Sequence, residues 1–262
     1  MDILSEIIAS KRSRLETSKR ALPVEELWAT ALSVRANAKA HALRNALTGN
    51  AINIIAEFKR RSPSKGTIRQ NADAVTLARS YESAGAAAIS VLTEENYFAG
   101  ALDDLLAVRA QVSVPLLRKD FVFDEWQVYE SAAAGADALL LIVAALDDDT
   151  LARLLRLTQE ELGMDALVEV HTKEEMERAV AVGAQLIGVN NRDLRTFEVS
   201  TETSLQLARF APAGAVLASE SGLTPEEIPK LRAVGYSGFL IGETLMRAAD
   251  PERQLRTFKG EI

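Results

Sequence analysis

The sequence contains no cysteine. This absence excludes disulfide bridges, a thiolate nucleophile and a cysteine-ligated zinc site. There are only two histidines, His41 and His171, and they do not have the spacing of a metal-binding pair. We therefore expect no metal site and no metal cofactor, and we expect both histidines to be dispensable.

Long apolar runs and an excess of positive charge are also missing. No uninterrupted apolar stretch reaches the roughly 18 residues that a membrane span needs, so no membrane association is expected. The chain begins with an acidic segment, Met1 to Glu6, where a secretory signal would be basic, and a cytoplasmic location is expected. The formal net charge of −7 argues against nucleic-acid binding. Nothing in the sequence indicates an obligate protein partner.

The sequence does contain a repeated alternation of short apolar runs with stretches of helical periodicity. The apolar runs are rich in β-branched residues, which indicates strands that are buried on both faces. Eight such runs begin near Ile52, Ala87, Val114, Asp137, Asp165, Gln185, Gly214 and Ser237. Eight strands alternating with helices predict an α/β fold, a (β/α)8 TIM barrel. The alternative, an open doubly wound sheet, is weakened because no Gly-x-Gly-x-x-Gly follows the first strand.

The helix ends support this pattern. A glycine follows a predicted helix and precedes a strand at four places, as a helix C-cap should: Gly85, Gly135, Gly183 and Gly235. The segments from Thr172 to Val182 and from Thr224 to Val234 begin with threonine and acidic residues, which predicts helix starts at both threonines.

The first 50 residues lie outside the repeat. Apolar residues at Ile3, Leu4, Ile7 and Ile8 have helical spacing, and the basic run from Lys11 to Arg20 is interpreted as a solvated helix face. We expect a single domain over residues 1–262, with a helical extension over 1–50 packed on a barrel over 51–262.

Polar residues terminate most of the apolar runs. Polar groups at the same end of many parallel strands would meet at the face where barrel enzymes build their active sites. The groups at these ends are Glu57 and Lys59, Lys119, Glu169, Asn190 and Arg192, Glu220 and Ser221, and Gly242 and Glu243.

The residue types suggest chemistry without fixing it. Lysine and glutamate at a dry strand end can exchange protons, but Lys119 could equally form a structural ion pair with Asp120 or Glu57. Glu57 and Lys59 lie on the same side of their strand, as an ion pair or as a proton-relay pair. A lone buried Glu169 is costly unless it is paired or functional.

Candidate binding residues lie after the later strands. The planar fork of Arg192 suits a carboxylate, although a turn with Asp193 paired to Arg192 is the alternative. Glycine-containing loops after strands seven and eight suit a phosphate, although they could be ordinary turns. A carboxylate at Glu243 would repel phosphate, so we expect that residue to contribute only its backbone amide.

Several motifs together resemble the indole-3-glycerol phosphate synthase family, in order and at barrel spacing. They are Glu57 to Gly66, Leu117 to Phe121, Leu167 to His171, Gly188 to Leu194, and Ser219 to Gly222. The resemblance covers essentially the whole chain. It implies that 1-(o-carboxyphenylamino)-1-deoxyribulose 5-phosphate is cyclised to indole-3-glycerol phosphate with loss of CO2 and water, in tryptophan biosynthesis, without a cofactor or metal.

The resemblance also implies residue roles. Lys119 is implied as the acid that polarises the ketone and Glu169 as an acid/base, while Arg192 is implied at the anthranilate end of the substrate. Catalytic roles are implied for Glu57, Lys59, Lys119, Glu169, Asn190 and Ser221. Substrate-binding roles are implied for Ser62, Phe121, Arg192, Glu220, Gly222, Gly242 and Glu243.

Three other functions stay open at this point. A phosphoribosylanthranilate isomerase would share the fold, but its usual Cys/Asp pair cannot be assembled without cysteine. A class I aldolase would use a Schiff-base lysine. A barrel that only binds a phosphorylated metabolite would not need two carboxylates among its strand-end residues.

Overall fold

The computed structural model describes residues 3–193 and 196–262, so Met1, Asp2 and Leu194, which were used above, lie outside the described residues. Eight parallel strands form a closed barrel, because the first strand pairs with both the second and the eighth. The strands are β1 (Asn53–Phe58), β2 (Ala88–Leu92), β3 (Leu116–Lys119), β4 (Ala138–Ile142), β5 (Asp165–Val170), β6 (Leu186–Asn190), β7 (Val216–Glu220) and β8 (Tyr236–Ile241). The predicted (β/α)8 barrel is confirmed.

Helices precede the barrel and follow its strands. They are α1 (Ile3–Ala21), α2 (Val24–Arg35), α3 (Ala42–Ala46), α4 (Ala74–Ser83), α5 (Glu95–Phe98), α6 (Leu102–Arg109), α7 (Glu125–Ala133), α8 (Asp148–Arg156), α9 (Lys173–Ala181), α10 (Glu202–Leu207), α11 (Ile228–Ala233), α12 (Glu243–Arg247) and α13 (Pro251–Phe258). A small hairpin after β1 pairs Arg61–Ser62 with Gly66–Thr67. None of the helices in 3–193 and 196–262 has the length and apolar character to span a membrane.

Most of the predicted helix ends are confirmed. The four predicted capping glycines all have positive φ: Gly85 (79°), Gly135 (80°), Gly183 (83°) and Gly235 (104°). Thr172 caps α9 by accepting a hydrogen bond from the Glu175 backbone amide. The helix start at Thr224 is wrong, because α11 begins at Ile228. Pro229 lacks an N–H and fits only in a first helical turn, which moves the start towards it.

The barrel is closed at its amino-terminal end. Inward-facing side chains such as Ile55, Leu117 and Leu167 are fully buried and pack with Leu43 of α3 and with Leu47, which follows that helix. Burying each such leucine stabilises the fold by roughly 1.5–3 kcal/mol. The segment with Leu43 and Leu47 therefore covers this end of the barrel interior.

The N-terminal helix α1 is tied to the loops at the carboxyl ends of the strands. Three basic side chains of α1 form ion pairs with these loops: Lys11 Nζ with Asp120 Oδ1 (2.7 Å), Arg14 Nη2 with Glu94 Oε1 (2.7 Å) and Lys19 Nζ with Asp124 Oδ2 (2.6 Å). The interpretation of this basic run as a solvated face is therefore wrong for these three residues. Their partners are carboxylates on the loops of the barrel. The spacing of basic residues within the helix could not reveal these partners.

Candidate active site

A cavity of about 810 Å3 lies at the carboxyl ends of the strands, and we call it the central cavity. Its wall contains every residue for which a site role was predicted. These are Glu57, Lys59, Ser62, Lys119, Phe121, Glu169, Asn190, Arg192, Glu220, Ser221, Gly222, Gly242 and Glu243. The barrel therefore brings together residues that are up to 186 positions apart in the chain, from Glu57 to Glu243.

Glu57 and Lys59 form a pair at the end of β1. Strand alternation turns both side chains away from that of Phe58, which leaves the barrel interior and packs in the hydrophobic core around it. The Lys59 ammonium donates to the Glu57 carboxylate, and Glu57 is buried. A Cβ on Gly242 would overlap Glu57 Oε1, so a side chain at that position would displace the carboxylate. The expected ion pair is present, and it faces the cavity.

Lys119, the last residue of β3, lies between two buried carboxylates. Its Nζ is 3.3 Å from Glu169 Oε2 and 3.2 Å from Glu220 Oε2. Burial alone would lower the pKa of Lys119, but the neighbouring carboxylates outweigh it and raise that pKa above its ordinary value. Lys119 is therefore held as an ammonium. The carboxylate of Asp120, considered from the sequence as its partner, instead binds Lys11 and Arg118.

The two carboxylates beside Lys119 differ in their proton affinity. Burial raises the pKa of Glu220 to about 7, with Lys119 opposing the rise and Glu169 adding to it. Burial would also raise the pKa of Glu169, but Lys119 and His171 outweigh it and lower that pKa below its usual range. The site thus pairs an ionised Glu169 with a Glu220 that can be protonated near neutral pH.

His171, for which the sequence predicted no role, contacts this group. Its Nε2 is 3.4 Å from Glu169 Oε1, and its Nδ1 is 3.1 Å from Glu175 Oε2. Its spacing of two residues from Glu169, just past the end of β5, was the signal that could have identified it. His41 lies beside Asp165, with its Nδ1 3.3 Å from Asp165 Oδ1 at the start of β5.

Asn190 and Arg192 follow β6 on the cavity wall. Asn190 Oδ1 accepts a hydrogen bond from the Arg192 backbone amide at 3.0 Å. The Arg192 guanidinium donates to the Phe197 carbonyl at 3.1 Å. Arg192 also lines the cavity, and a guanidinium there suits an anionic group.

A buried residue that sequence reasoning missed, Asn191, joins this loop to the one after β7. Asn191 Nδ2 donates to the Ser221 carbonyl at 3.1 Å and to Ser219 Oγ at 3.0 Å, and Asn191 Oδ1 accepts from Ser204 Oγ at 2.8 Å. Ser221 and Gly222 both have positive φ, 69° and 71°. A non-glycine residue in this conformation is uncommon, so the bonds of Asn191 help to hold it.

Arg247 of α12 also lines the cavity and was not predicted as a site residue. Its Nε is 3.0 Å from Glu243 Oε1, one helical turn away. The i, i+4 spacing of the two residues was the available signal. The pair neutralises the Glu243 carboxylate, which the sequence had suggested would repel a phosphate.

An apolar rim surrounds the mouth of the cavity. Ile3, Leu4 and Ile7 of α1 line one side. Phe98 and Phe121 lie next to each other on the lining, with ring centroids 6.0 Å apart. An aromatic substrate ring would find stacking partners here, and Phe121 was predicted to bind substrate.

Comparison with solved structures identifies the same fold in other barrel enzymes. A 3-hexulose-6-phosphate synthase matches with a TM-score of 0.65 and 17% identity, over 80% of this chain and 99% of that one. A KGPDC from Streptococcus mutans matches with a TM-score of 0.63 and 15% identity, over 81% of this chain and 97% of that one. At these identities the likeness shows the fold alone.

Comparison with known sequences is more specific. An indole-3-glycerol phosphate synthase from Micrococcus luteus is 48% identical, over 99% of this chain and 97% of that protein. A second, from Carboxydothermus hydrogenoformans, is 46% identical over 96% of this chain and 97% of that protein. The family model for indole-3-glycerol phosphate synthase matches residues 4–258. The chain belongs to the indole-3-glycerol phosphate synthase family, the carboxy-lyases that form indole-3-glycerol phosphate in tryptophan biosynthesis.

Proposed function

We propose that the central cavity is the site where 1-(o-carboxyphenylamino)-1-deoxyribulose 5-phosphate is closed to the indole ring. The chemistry is carried by the lysines and glutamates at the floor of the cavity. The observation that carries the proposal is the placement of Lys119 Nζ 3.3 Å from Glu169 and 3.2 Å from Glu220, inside a cavity that also contains the Glu57–Lys59 pair. A site that only bound a phosphorylated metabolite would gain nothing from three buried carboxylates.

Lys119 has the role of the acid at ring closure. When the aromatic carbon that carries the carboxylate attacks the ketone carbon, negative charge develops on the ketone oxygen. An ammonium fixed at the cavity floor donates a hydrogen bond to that oxygen and transfers its proton as the alkoxide forms. The raised pKa of Lys119 argues against a Schiff-base role, because the nucleophile in such a reaction is the free amine.

The remaining steps need a group near the substrate carboxylate and a group that exchanges protons. Lys59, held by Glu57, binds the carboxylate of the substrate. This carboxylate leaves the ring as CO2, and its loss restores the aromaticity of the ring. Glu169 then exchanges protons in the dehydration, in which the hydroxyl departs as water and a proton is lost from the neighbouring carbon to complete the indole. Asn190 orients this end of the site through the Arg192 amide.

The two anionic ends of the substrate are bound at different parts of the cavity. Arg192 offers a planar fork to the carboxylate, and the aromatic ring lies against Phe121. The backbones of Ser221, Gly222 and Gly242 line the wall where the phosphate is placed, with Glu243 contributing its amide. Ser62 and Glu220 complete the contacts to the sugar chain.

The cellular setting is part of the proposal. A doubly charged phosphate ester does not cross a membrane, so the enzyme works in the cytoplasm where its substrate is made. We also propose that residues 1–262 act as one domain, without an obligate protein partner and without a metal or cofactor.

The test is a turnover assay on the purified full chain. The protein is mixed with the carboxyphenylamino-deoxyribulose phosphate, and indole fluorescence is followed with and without a chelator. Turnover that is unchanged by the chelator is expected. Activity that requires an added metal, or substrate that binds without turnover, would contradict the proposed chemistry. Inactivation by borohydride in the presence of substrate would indicate a Schiff base instead.

A further inference from the structure

His171 lies between two carboxylates at the end of β5. On one side its Nε2 is 3.4 Å from Glu169 Oε1, and on the other its Nδ1 is 3.1 Å from Glu175 Oε2. The side chain is 11% exposed, so water provides little alternative solvation. A ring with a carboxylate oxygen facing each nitrogen is best satisfied when both nitrogens carry a proton.

Glu175 is itself fixed in place by the start of α9. The same Oε2 atom accepts a hydrogen bond from the His171 backbone amide at 2.6 Å. The backbone amide of Glu175 donates to Thr172 Oγ1 at 3.2 Å, which is the N-cap interaction of this helix. Glu175 therefore contacts both the backbone amide and the ring of His171.

We propose that His171 is a positioning residue for Glu169, held as an imidazolium by Glu175. The Nε2 atom of the ring faces Oε1 of Glu169 at 3.4 Å, and the other oxygen, Oε2, contacts Lys119 at 3.3 Å. The groups that face this assembly are Glu169 on β5 and Glu175 on α9, with Lys119 on the far side of Glu169. The inference rests on the proposed role of Glu169 in proton transfer.

The charge balance of the site supports this assignment. The cavity floor carries the carboxylates of Glu57, Glu169 and Glu220, and Glu175 lies on the far side of the His171 ring. Lys59 contacts Glu57, and Lys119 contacts both Glu169 and Glu220. An imidazolium at position 171 places a positive charge between two of these carboxylates, those of Glu169 and Glu175. Burial alone would lower the pKa of His171, but Glu169 and Glu175 raise it to about 10.

A direct test measures the charge of the ring and does not depend on activity. Because the chain has 2 histidines, 15N spectra of the imidazoles contain two sets of signals, and His41→Asn assigns them. The His171 ring is expected to stay doubly protonated from pH 6 to pH 8. Glu175→Gln should bring its titration to lower pH. A His171 ring that is neutral at pH 7 would overturn the proposal.

The second test uses the pH dependence of turnover. His171→Asn keeps a polar side chain but removes one positive charge, so carboxylate titrations in the cluster should move to higher pH, by about one unit. The pH profile of kcat/KM is expected to shift in that direction, with a smaller shift in Glu175→Gln and none in His41→Asn. A His171→Asn profile that matches the parent would contradict the positioning role. If the parent protein does not turn over the substrate, the proposed function fails, while the ring measurement still decides the charge of His171.

Discussion

Replacing Lys119 with methionine removes the cation that the proposed ring closure depends on. Lys119 Nζ is 3.2 Å from Glu220 and 3.3 Å from Glu169. With an effective dielectric constant of 20, each contact is worth roughly 5 kcal/mol before the cost of burying the charges is subtracted. General acid catalysis contributes on the order of 10²–10⁴-fold. We therefore expect kcat to fall by at least about a hundredfold.

The same substitution changes how stability depends on pH. Without Lys119, the pKa of Glu220 rises further above about 7, because burial and Glu169 are no longer opposed by the ammonium. A carboxyl group with a folded-state pKa above its unfolded value of about 4.3 binds its proton more tightly in the folded state. Its contribution to stability is therefore present at low pH and is lost as pH rises towards the folded pKa. The Lys119→Met variant should have a lower Tm at pH 8 than at pH 5, by more than the parent protein does.

Matched variants separate the causes. Lys119→Arg keeps a cation beside the glutamates, so it should restore most of the stability at pH 8 but little of the turnover. Lys173→Met makes the same change at an exposed lysine and should leave both unchanged; its side chain is 50% exposed. Indole fluorescence gives kcat, and circular dichroism gives Tm. If Lys119→Met is folded and keeps a kcat close to that of the parent, the acid is another residue and the reasoning is refuted.

Three further predictions concern the binding loops. Arg192→Ala should weaken the binding of a reduced, non-reactive substrate analogue by about tenfold or more, since a charge-assisted hydrogen bond is worth roughly 1.5–3 kcal/mol. The binding of indole-3-glycerol phosphate should weaken less, because the carboxylate is lost in the reaction. If the two dissociation constants rise equally, Arg192 does not bind the carboxylate. Gly222→Ala should weaken the binding of both ligands equally, because a Cβ there would collide with Val199 at the proposed phosphate site, which both ligands need. Asn191→Ala should lower the free energy of unfolding by about 1–3 kcal/mol, since it leaves buried hydrogen-bonding groups without partners, and should raise KM by loosening Ser221; urea unfolding with no change from the parent would contradict this.

The barrel could be predicted because its signals are local. Each strand is an apolar run, and a glycine at a helix end such as Gly183 marks the next strand whatever the rest of the chain does. The predicted starts near Asp137 and Gln185 lie one residue from the observed starts of β4 and β6. The wrong helix start at Thr224 came from weighing a capping residue above Pro229, whose missing N–H is the stronger constraint.

For the site, the sequence could predict only that the polar residues at the strand ends lie at the same end of the barrel. Which polar residue pairs with which depends on the register around the barrel, and the sequence does not show it. An ion pair of Lys119 with Asp120 or Glu57 was one alternative from the sequence, but alternation turns the side chains of Lys119 and Asp120 to different surroundings. Asp120 turns to Lys11 and Arg118, and Lys119 turns to the interior. Long-range pairs of this kind carry no local periodicity.

The ion pairs of helix α1 have a consequence for the order in which the chain folds. Lys11 and Asp120 are 109 residues apart in the chain. At a synthesis rate of about 5–20 residues per second, α1 waits roughly 5–20 s before its partner has been made. During that interval the apolar side of the helix, with Ile7 and Leu15, has no barrel to pack against. The helix that lines one side of the cavity is thus made well before the loops whose carboxylates bind its cations.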